Sequence, residues 1–197
     1  MMKIEPVTLT GRVARLEPLR IEHSAALFAA IREKADLLRY FALIQPRVVE
    51  EMEQLVANSL RRQEQGICLP FAIVDLTTGR VVGETQYYTI VQEHHGLEIG
   101  YTWLAPAVQR TGINTECKYL LLSHAFESLG AIRVQLKTHH LNLQSQRAIE
   151  RLGAVKEGIL RNHVIMPDGS YRHSVYYSVL DSEWPEVKKN LEAMMEK

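Results

Sequence analysis

The sequence predicts an α+β protein in which helices cover a central mixed β-sheet. The first observation is an ordinary globular composition, with 46% hydrophobic and 23% charged residues among 197. The second is a hydrophobic period that changes along the chain between helical and alternating patterns. The third is a strand–helix–strand unit that follows three consecutive strands, so the sheet needs both antiparallel and parallel pairs.

The composition excludes several classes of protein. Lysine plus arginine and aspartate plus glutamate both number 23, so the net charge is zero. A neutral chain lacks the field of a nucleic-acid binder or a polybasic membrane protein, and neither nucleic acid nor membrane is expected as a partner. Cys68 and Cys117 form no zinc spacing and the eight histidines no metal motif, so no metal is expected. Without a secretory signal or a membrane span, the expected location is cytoplasmic.

The first half of the chain predicts strands around two helices, within a single domain over residues 1–197. Two short strands, 7–9 and 12–18, flank a turn at Thr10-Gly11. Helical spacing then covers 23–31 and 48–63. The next segments are rich in Val, Ile, Thr and Tyr and predict an antiparallel meander. Its three strands are 70–76, 81–90 and 97–104.

The second half predicts a crossover unit, a long hairpin and a C-terminal helix. A helix at 114–129 is followed by a strand at 132–138 and a helix at 144–152. Hairpin strands at 154–166 and 171–180 flank the turn 167–170. The C-terminal helix is predicted over 182–197, with Asp181 or Ser182 as its cap.

A glycine-containing loop, 109–113, leads into the helix that begins near Asn114. Unpaired N–H groups and the positive end of the helix dipole suit a phosphate or pyrophosphate there. Arg110 adds a full positive charge to the loop. A single glycine before a helix also fits an ordinary turn, so the loop alone does not decide the function.

Together with the order of elements, five motifs resemble the GNAT superfamily of acetyl-CoA-dependent N-acetyltransferases. The downstream motifs resemble its Rim-type branch, the ribosomal-protein N-terminal acetyltransferase-like enzymes. The five motifs are QRTGIN at 109–114, FESLG at 126–130, NLQSQR at 142–147, RLGA at 151–154 and EGILR at 157–161. The resemblance covers about residues 7–180. Asn114 replaces the last small residue of the family's phosphate loop, and Ala154 replaces the usual phenylalanine.

The resemblance implies a sheet splayed between its fourth and fifth core strands, with helices on both faces. The pantetheine arm of acetyl-CoA would lie in the opening and pair with the backbone around 101–104. The N–H groups of 110–115 would hold the pyrophosphate, and Asn142 would hydrogen-bond the pantetheine or the adjacent backbone. The implied cofactor-binding residues are Tyr101, Thr102, Trp103, Leu104, Gln109, Arg110, Thr111, Gly112, Ile113, Asn114, Thr115, Asn142 and Ser145.

The implied reaction is direct attack of a primary amine on the thioester carbonyl. The amine would belong to a peptide N-terminus, an amino acid or another small molecule. The thiolate that departs benefits from a proton donor. Ser145 resembles the serine that serves as this acid in the Rim-type branch, and a helix cap is its alternative role. Ile149 stands where many members place a tyrosine, and Val164 where the branch can use a glutamate base.

Attack by an amine also requires a base, because an ammonium group has no free electron pair. Glu98, on the central splayed strand, is the predicted base or water-orienting residue. Its alternative role is that of a buried carboxylate paired with an arginine. His139, His140 and His163 are further candidates because an imidazole titrates near neutrality.

A second function remains open, since two expected catalytic positions hold Ile149 and Val164. In this alternative the chain is a CoA-binding sensor or assembly module without transferase activity. Both functions predict CoA binding. The acceptor side is expected between the two N-terminal helices and the hairpin at 161–172. The hairpin strands and the C-terminal helix are candidates for pairing two subunits into a homodimer.

Overall fold

A computed structural model describes residues 2–196. Within that range the chain forms eight strands: β1 (Leu9–Thr10), β2 (Ala14–Pro18), β3 (Cys68–Asp75), β4 (Arg80–Val91), β5 (Gly96–Leu104), β6 (Arg133–His139), β7 (Val155–Ile165) and β8 (Tyr171–Leu180). The α-helices are α1 (Ser24–Ile31), α2 (Val49–Glu64), α3 (Ile113–Ser123), α4 (Leu143–Leu152) and α5 (Trp184–Met195). The predicted α+β class is confirmed.

All eight strands lie in one mixed sheet of order β1-β2-β3-β4-β5-β6-β8-β7. Every neighbouring pair is antiparallel except β5 and β6, which α3 connects as a parallel crossover. The unit β6–α4–β7 also crosses over, but β8 inserts between its two strands. The predicted parallel segment is therefore confined to one strand pair at the centre of the sheet.

That central pair is joined over only three residues of each strand, Gly96–Glu98 with Arg133–Gln135. Beyond Glu98, β5 continues along β4 and leaves β6. The pairing with β4 shifts register between Glu84 and Gln86, and Tyr101 has a φ of 51°. Such a β-bulge bends its strand and increases the local twist. The predicted splay between the fourth and fifth core strands is thereby confirmed.

Helices cover both faces of the sheet. On one face, α1 packs against β4 and α2 against β3, and the two helices contact each other. The helices α3, α4 and α5 pack together on the other face. Between the two groups of helices, β3 is buried along its entire length. Phe71 and Tyr87 meet edge to face at the core, and the Tyr87 hydroxyl donates to the Leu121 carbonyl at 2.5 Å.

Every helix within residues 2–196 is too short or too polar to cross a bilayer.

Two helix ends differ from the prediction. The segment expected as one helix to residue 129 changes to a π-helical turn at His124–Ser128, where the Leu129 N–H bonds the His124 carbonyl. The cap of α5 is Glu183, so the prediction of Asp181 or Ser182 is wrong. The Asp181 carboxylate instead accepts the N–H of Ser182, which closes the turn before the helix starts.

Candidate active site

The loop before α3 presents free backbone donors at the helix N-terminus. Among residues 2–196, no group accepts a hydrogen bond from the N–H groups of Asn114 and Thr115. The Glu116 N–H is the first to bond within the helical pattern, to the Gly112 carbonyl at 3.0 Å. Arg110 takes the left-handed conformation, with φ 63°. These unpaired donors and the helix dipole make a site suited to a phosphate.

Several residues predicted to bind the cofactor have side chains engaged with the protein. The Gln109 amide donates to the Leu104 carbonyl at 3.0 Å and ties the loop to the end of β5. The Thr102 hydroxyl contacts Lys118 Nζ at 2.6 Å. Trp103, Leu104 and Ile113 are buried hydrophobic residues of the core. These side chains hold the strand and the loop in place and are not free to bind a ligand.

Glu116 fixes the start of α3 to the N-terminal hairpin. Its carboxylate, 4% exposed, accepts the N–H groups of Arg12 and Val13 at 2.7 Å and of Ala14 at 2.6 Å. A Cβ on Gly11 would overlap this carboxylate, so glycine is needed there for space. The free donors of the phosphate loop are therefore held in place from about a hundred residues earlier in the chain.

Substitution of Gly112 by valine is expected to weaken CoA binding at least about tenfold, or ~1.4 kcal/mol. Gly112 has helical φ and ψ of −65° and −18°, and an added Cβ meets only Val13 Cγ2, at 3.9 Å. The fold accommodates the change, whereas a phosphate approaching the backbone does not. Calorimetric titration with CoA measures the effect. The control, Gly158→Val on β7, should leave the affinity unchanged; equal affinities of the two variants would contradict a phosphate site in this loop.

Asn142 caps α4, since its Oδ1 accepts the Ser145 N–H at 3.1 Å. The capping alternative for Ser145 is thus wrong, because this residue lies three positions after the cap, inside the first turn of the helix. Ser145 is half-buried, and its hydroxyl makes no hydrogen bond within residues 2–196. Ile149 is buried beneath it on the same helix. The Ser145 hydroxyl is available to a ligand, whereas Asn142 Oδ1 is committed to the adjacent backbone.

Glu98 is completely buried and its carboxylate has three donors. Tyr88 hydroxyl, Gln135 Nε2 at 2.9 Å and Lys137 Nζ at 3.1 Å all bond to it. The alternative role of a buried, paired carboxylate is present in the structure, with lysine in place of the arginine expected. A Cβ on Gly100 would overlap the Tyr88 ring, so glycine allows that ring to lie over β5. Both carboxylate oxygens of Glu98 are therefore occupied by donors from the protein.

The histidine candidates differ in what their rings can do. His139 Nδ1 accepts the Leu141 N–H at 3.0 Å, which assigns the proton of the neutral ring to Nε2. Burial, followed by the charge of His140, lowers the pKa of His139 to about 4, so at neutral pH Nε2 donates. His163 contacts the Tyr176 hydroxyl at 3.2 Å, and burial lowers its pKa too. Neither arrangement identifies a base directly.

Two polar residues on β4 were not predicted as site residues. Glu84 and Gln86 share with Tyr88 the face of the strand covered by α1 and α2. Burial raises the pKa of Glu84 to about 7, although the Trp103 indole N–H lowers it in part. The available signal was a run of three consecutive polar residues, Glu84 to Gln86, inside a strand predicted for the core of the sheet. Within residues 2–196, no three His, Cys, Asp or Glu side chains cluster as metal ligands would.

The comparisons agree with this geometry. Residues 14–155 match the family described as Acetyltransferase (GNAT) domain. A Bacillus subtilis (strain 168) protein, YdaF, whose name provisionally describes a ribosomal N-acetyltransferase, is 28% identical over 176 residues, 86% of this chain and 90% of its own. A GCN5-related N-acetyltransferase from Brucella melitensis superposes with a TM-score of 0.91 at 32% identity, covering 98% of this chain and 87% of that one.

A third similarity concerns the fold alone. Mycobacterium smegmatis RimJ, solved in complex with CoA-disulfide, has a TM-score of 0.83 at 21% identity, with 96% of this chain and 95% of that chain covered. The matched family region contains the splayed strands, the phosphate loop and the start of α4. With the curated N-acetyltransferase names among its relatives, the chain belongs to the GNAT family of acetyltransferases, with similarity to its Rim-type branch.

Proposed function

We propose that this protein transfers the acetyl group of acetyl-CoA to a primary amine by direct attack of the amine on the thioester. The amine would belong to a peptide N-terminus, an amino acid or another small molecule. A bond forms between the amine nitrogen and the carbonyl carbon, and the carbon–sulfur bond breaks. The proton lost by the nitrogen balances the thiol that leaves.

The observation that carries this proposal is the continuity between the opening in the sheet and the phosphate loop. The edge of β5 from Ile99 to Leu104 has no partner strand on the β6 side, so its backbone groups can pair with an extended amide-containing arm. Leu104 leads directly into the loop that ends at the free N–H groups of Asn114 and Thr115. An amide-rich arm that ends in a pyrophosphate fits this sequence of groups, and acetyl-CoA supplies both together with an activated acetyl group.

Within the proposal, Ser145 donates a hydrogen bond or proton to the departing sulfur. Its free hydroxyl lies in the first turn of α4, where the dipole also favours a thiolate. Glu98 is assigned to orienting rather than accepting, because its oxygens already bond Tyr88, Gln135 and Lys137. The Tyr88 hydroxyl is thereby fixed above the bulge of β5.

Binding of CoA is expected to stabilise the protein by about 2.7 kcal/mol at 100 times the dissociation constant. Thermal melts with and without CoA or acetyl-CoA measure this shift. Release of free thiol from acetyl-CoA with a panel of primary amines then measures transfer. The absence of any shift at millimolar CoA would contradict the proposal as a whole.

The mutation Ser145→Ala is expected to slow transfer by tens of fold, where each tenfold is about 1.4 kcal/mol in the barrier. Because Ser145 is not the cap, the free energy of unfolding of the Ser145→Ala variant should differ from that of the wild type by no more than ~0.5 kcal/mol. Asn142→Ala is the matched variant for stability and should lose about 1 kcal/mol. A normal rate in Ser145→Ala, measured per folded molecule, would remove this hydroxyl from the mechanism.

A CoA-binding sensor without transferase activity is the second candidate function. The observation in its favour is that Glu98 is saturated with donors and that Ile149 and Val164 lack the expected catalytic groups. Such a protein shows the thermal shift but releases no thiol with any amine. The thiol assay therefore separates the two functions on one preparation.

A further inference from the structure

Glu84 and Gln86 are two polar side chains on one face of β4, and Gln86 Oε1 is buried without a hydrogen-bond partner. Three buried side-chain polar atoms within residues 2–196 lack a hydrogen bond, and Gln86 Oε1 is the one that belongs to the sheet. Gln86 is only 2% exposed. The Glu84 carboxylate is half-buried, and the Trp103 indole N–H is the one donor that acts on it within residues 2–196. Unpaired buried polar groups are costly, so each needs an explanation.

The pair lies beside the bulge that opens the sheet. Gln86 is opposite Gly100 and Glu84 is opposite Trp103, with Tyr101 and Thr102 between them on β5. The Tyr88 ring lies over Gly100 on the same face. This is the face covered by α1 and α2, which is the predicted acceptor side. A group bound to Glu84 and Gln86 would therefore lie next to the segment of β5 whose free edge faces the opening.

We propose that Glu84 and Gln86 bind the amino group of the acceptor and that Glu84 takes the proton that makes it nucleophilic. This inference rests on the proposed function. An ammonium group supplies a donor for Gln86 Oε1 and a cation for the Glu84 carboxylate. Its proton passes to the Glu84 carboxylate, which leaves a neutral amine and a carboxylic acid. The freed electron pair forms the new bond to carbon, and the acid later releases its proton to solvent.

The groups that surround the two carboxylates favour Glu84 over Glu98 as the acceptor of the amine proton. Lys137 Nζ is 3.1 Å from Glu98 and occupies one of its oxygens, whereas no cation lies within 4.0 Å of Glu84 in residues 2–196. A general base works best when its pKa is near the working pH. Burial places the pKa of Glu84 at about 7. The other charged or titratable groups around it are Cys68 on β3 and Arg62 on α2, with Tyr88 and Glu98 further along the face; α1 carries none.

The test measures amine binding first, so that it does not depend on turnover. Alaninamide and butylamine are titrated into the CoA-loaded protein, and the heat of binding is measured by calorimetry. Glu84→Gln and Gln86→Leu should each weaken binding of the amines by at least about tenfold, whereas CoA affinity stays unchanged. Glu53→Gln, the same change at an exposed site on α2, is the matched control. No amine binding to the wild type, or equal binding by all variants, would overturn the inference.

Kinetics then separate the roles of the two residues. Gln86→Leu should raise KM for the amine and leave kcat within a few fold, while its melting temperature is unchanged or higher because an unpaired group is removed. Glu84→Gln should lower kcat/KM by about 10²–10⁴-fold and abolish its rise with pH through neutrality. If the wild type binds CoA and transfers acetyl groups but Glu84→Gln keeps the wild-type pH profile, this inference fails and the proposed function stands.

A pH-dependent melt gives an independent readout. A buried carboxyl with a raised pKa contributes stability that is lost as pH rises through that pKa. The Glu84→Gln variant should therefore have the same melting temperature as the wild type at pH 5 and a higher melting temperature than the wild type at pH 8. A lower melting temperature than wild type at both values would show that Glu84 has a structural partner and would overturn the assignment.

Discussion

Replacement of Glu116 by alanine is expected to lower the free energy of unfolding by about 3–5 kcal/mol, because three backbone N–H groups lose their acceptor at once. The carboxylate is buried against Arg12, Val13 and Ala14, so water replaces it poorly. Against a total stability of about 5–15 kcal/mol, the loss is a large fraction. Urea denaturation measures the effect, and CoA titration of the folded fraction should show weaker binding.

Glu116→Gln keeps the result interpretable where the alanine variant does not fold. The amide retains the shape and one acceptor oxygen, which can still serve Val13 and Ala14, but turns an NH₂ group toward the third N–H. An intermediate loss of stability is expected. Glu53→Ala, at an exposed position of α2, is the control and should change stability by no more than ~0.5 kcal/mol. Glu116→Ala as stable as this control would contradict the role assigned to the carboxylate.

Glu98→Gln is expected to lose about 3–5 kcal/mol of stability, the cost of leaving one member of a buried ion pair alone. Lys137 loses its anionic partner in a site that is only 18% exposed, and the amide cannot accept from all three donors. Turnover should fall as well, since Tyr88 loses the group that fixes its hydroxyl. Thermal melts and thiol release measured on one preparation give both quantities.

The variant Lys137→Met and the double variant Glu98→Gln/Lys137→Met complete a double-mutant cycle for this ion pair. The double variant should recover part of the stability, because no unpaired charge remains. Its rate should stay low if Glu98 positions the site through Tyr88. The pH dependence of the residual rate decides the remaining question. If Glu98→Gln removes the dependence and Glu84→Gln does not, Glu98 is the base after all.

The fold was predictable from the sequence because its signals are local. Hydrophobic period, turn residues and the glycine before α3 each act within about ten residues, and they led to the mixed sheet and the phosphate loop. The splay rested on resemblance, and its physical cause is the bulge at Tyr101. A left-handed tyrosine in a strand leaves no trace in hydrophobic patterning, so the bulge itself could not be predicted.

Pairings between distant residues set the limit of prediction for the site. Glu116 and Ala14 are 102 positions apart, and Glu98 and Lys137 are 39 apart. Nothing in either segment specifies the other. The cap of α4 shows a second limit: Asn142 and Ser145 both favour capping, and only the exact start of the helix decides between them. Glu84 was missed because one carboxylate on a core strand has no motif.

The three-residue ladder between Gly96–Glu98 and Arg133–Gln135 is the only backbone pairing between the two halves of the sheet in residues 2–196. Strands β1–β5 form one continuous antiparallel unit and β6–β8 form another, so local opening between them breaks few backbone bonds. An arm that pairs with Ile99–Leu104 supplies backbone contacts that the protein itself omits. If the proposed function holds, binding of the cosubstrate and the integrity of the sheet are linked, because the arm would complete the backbone pairing between the two units.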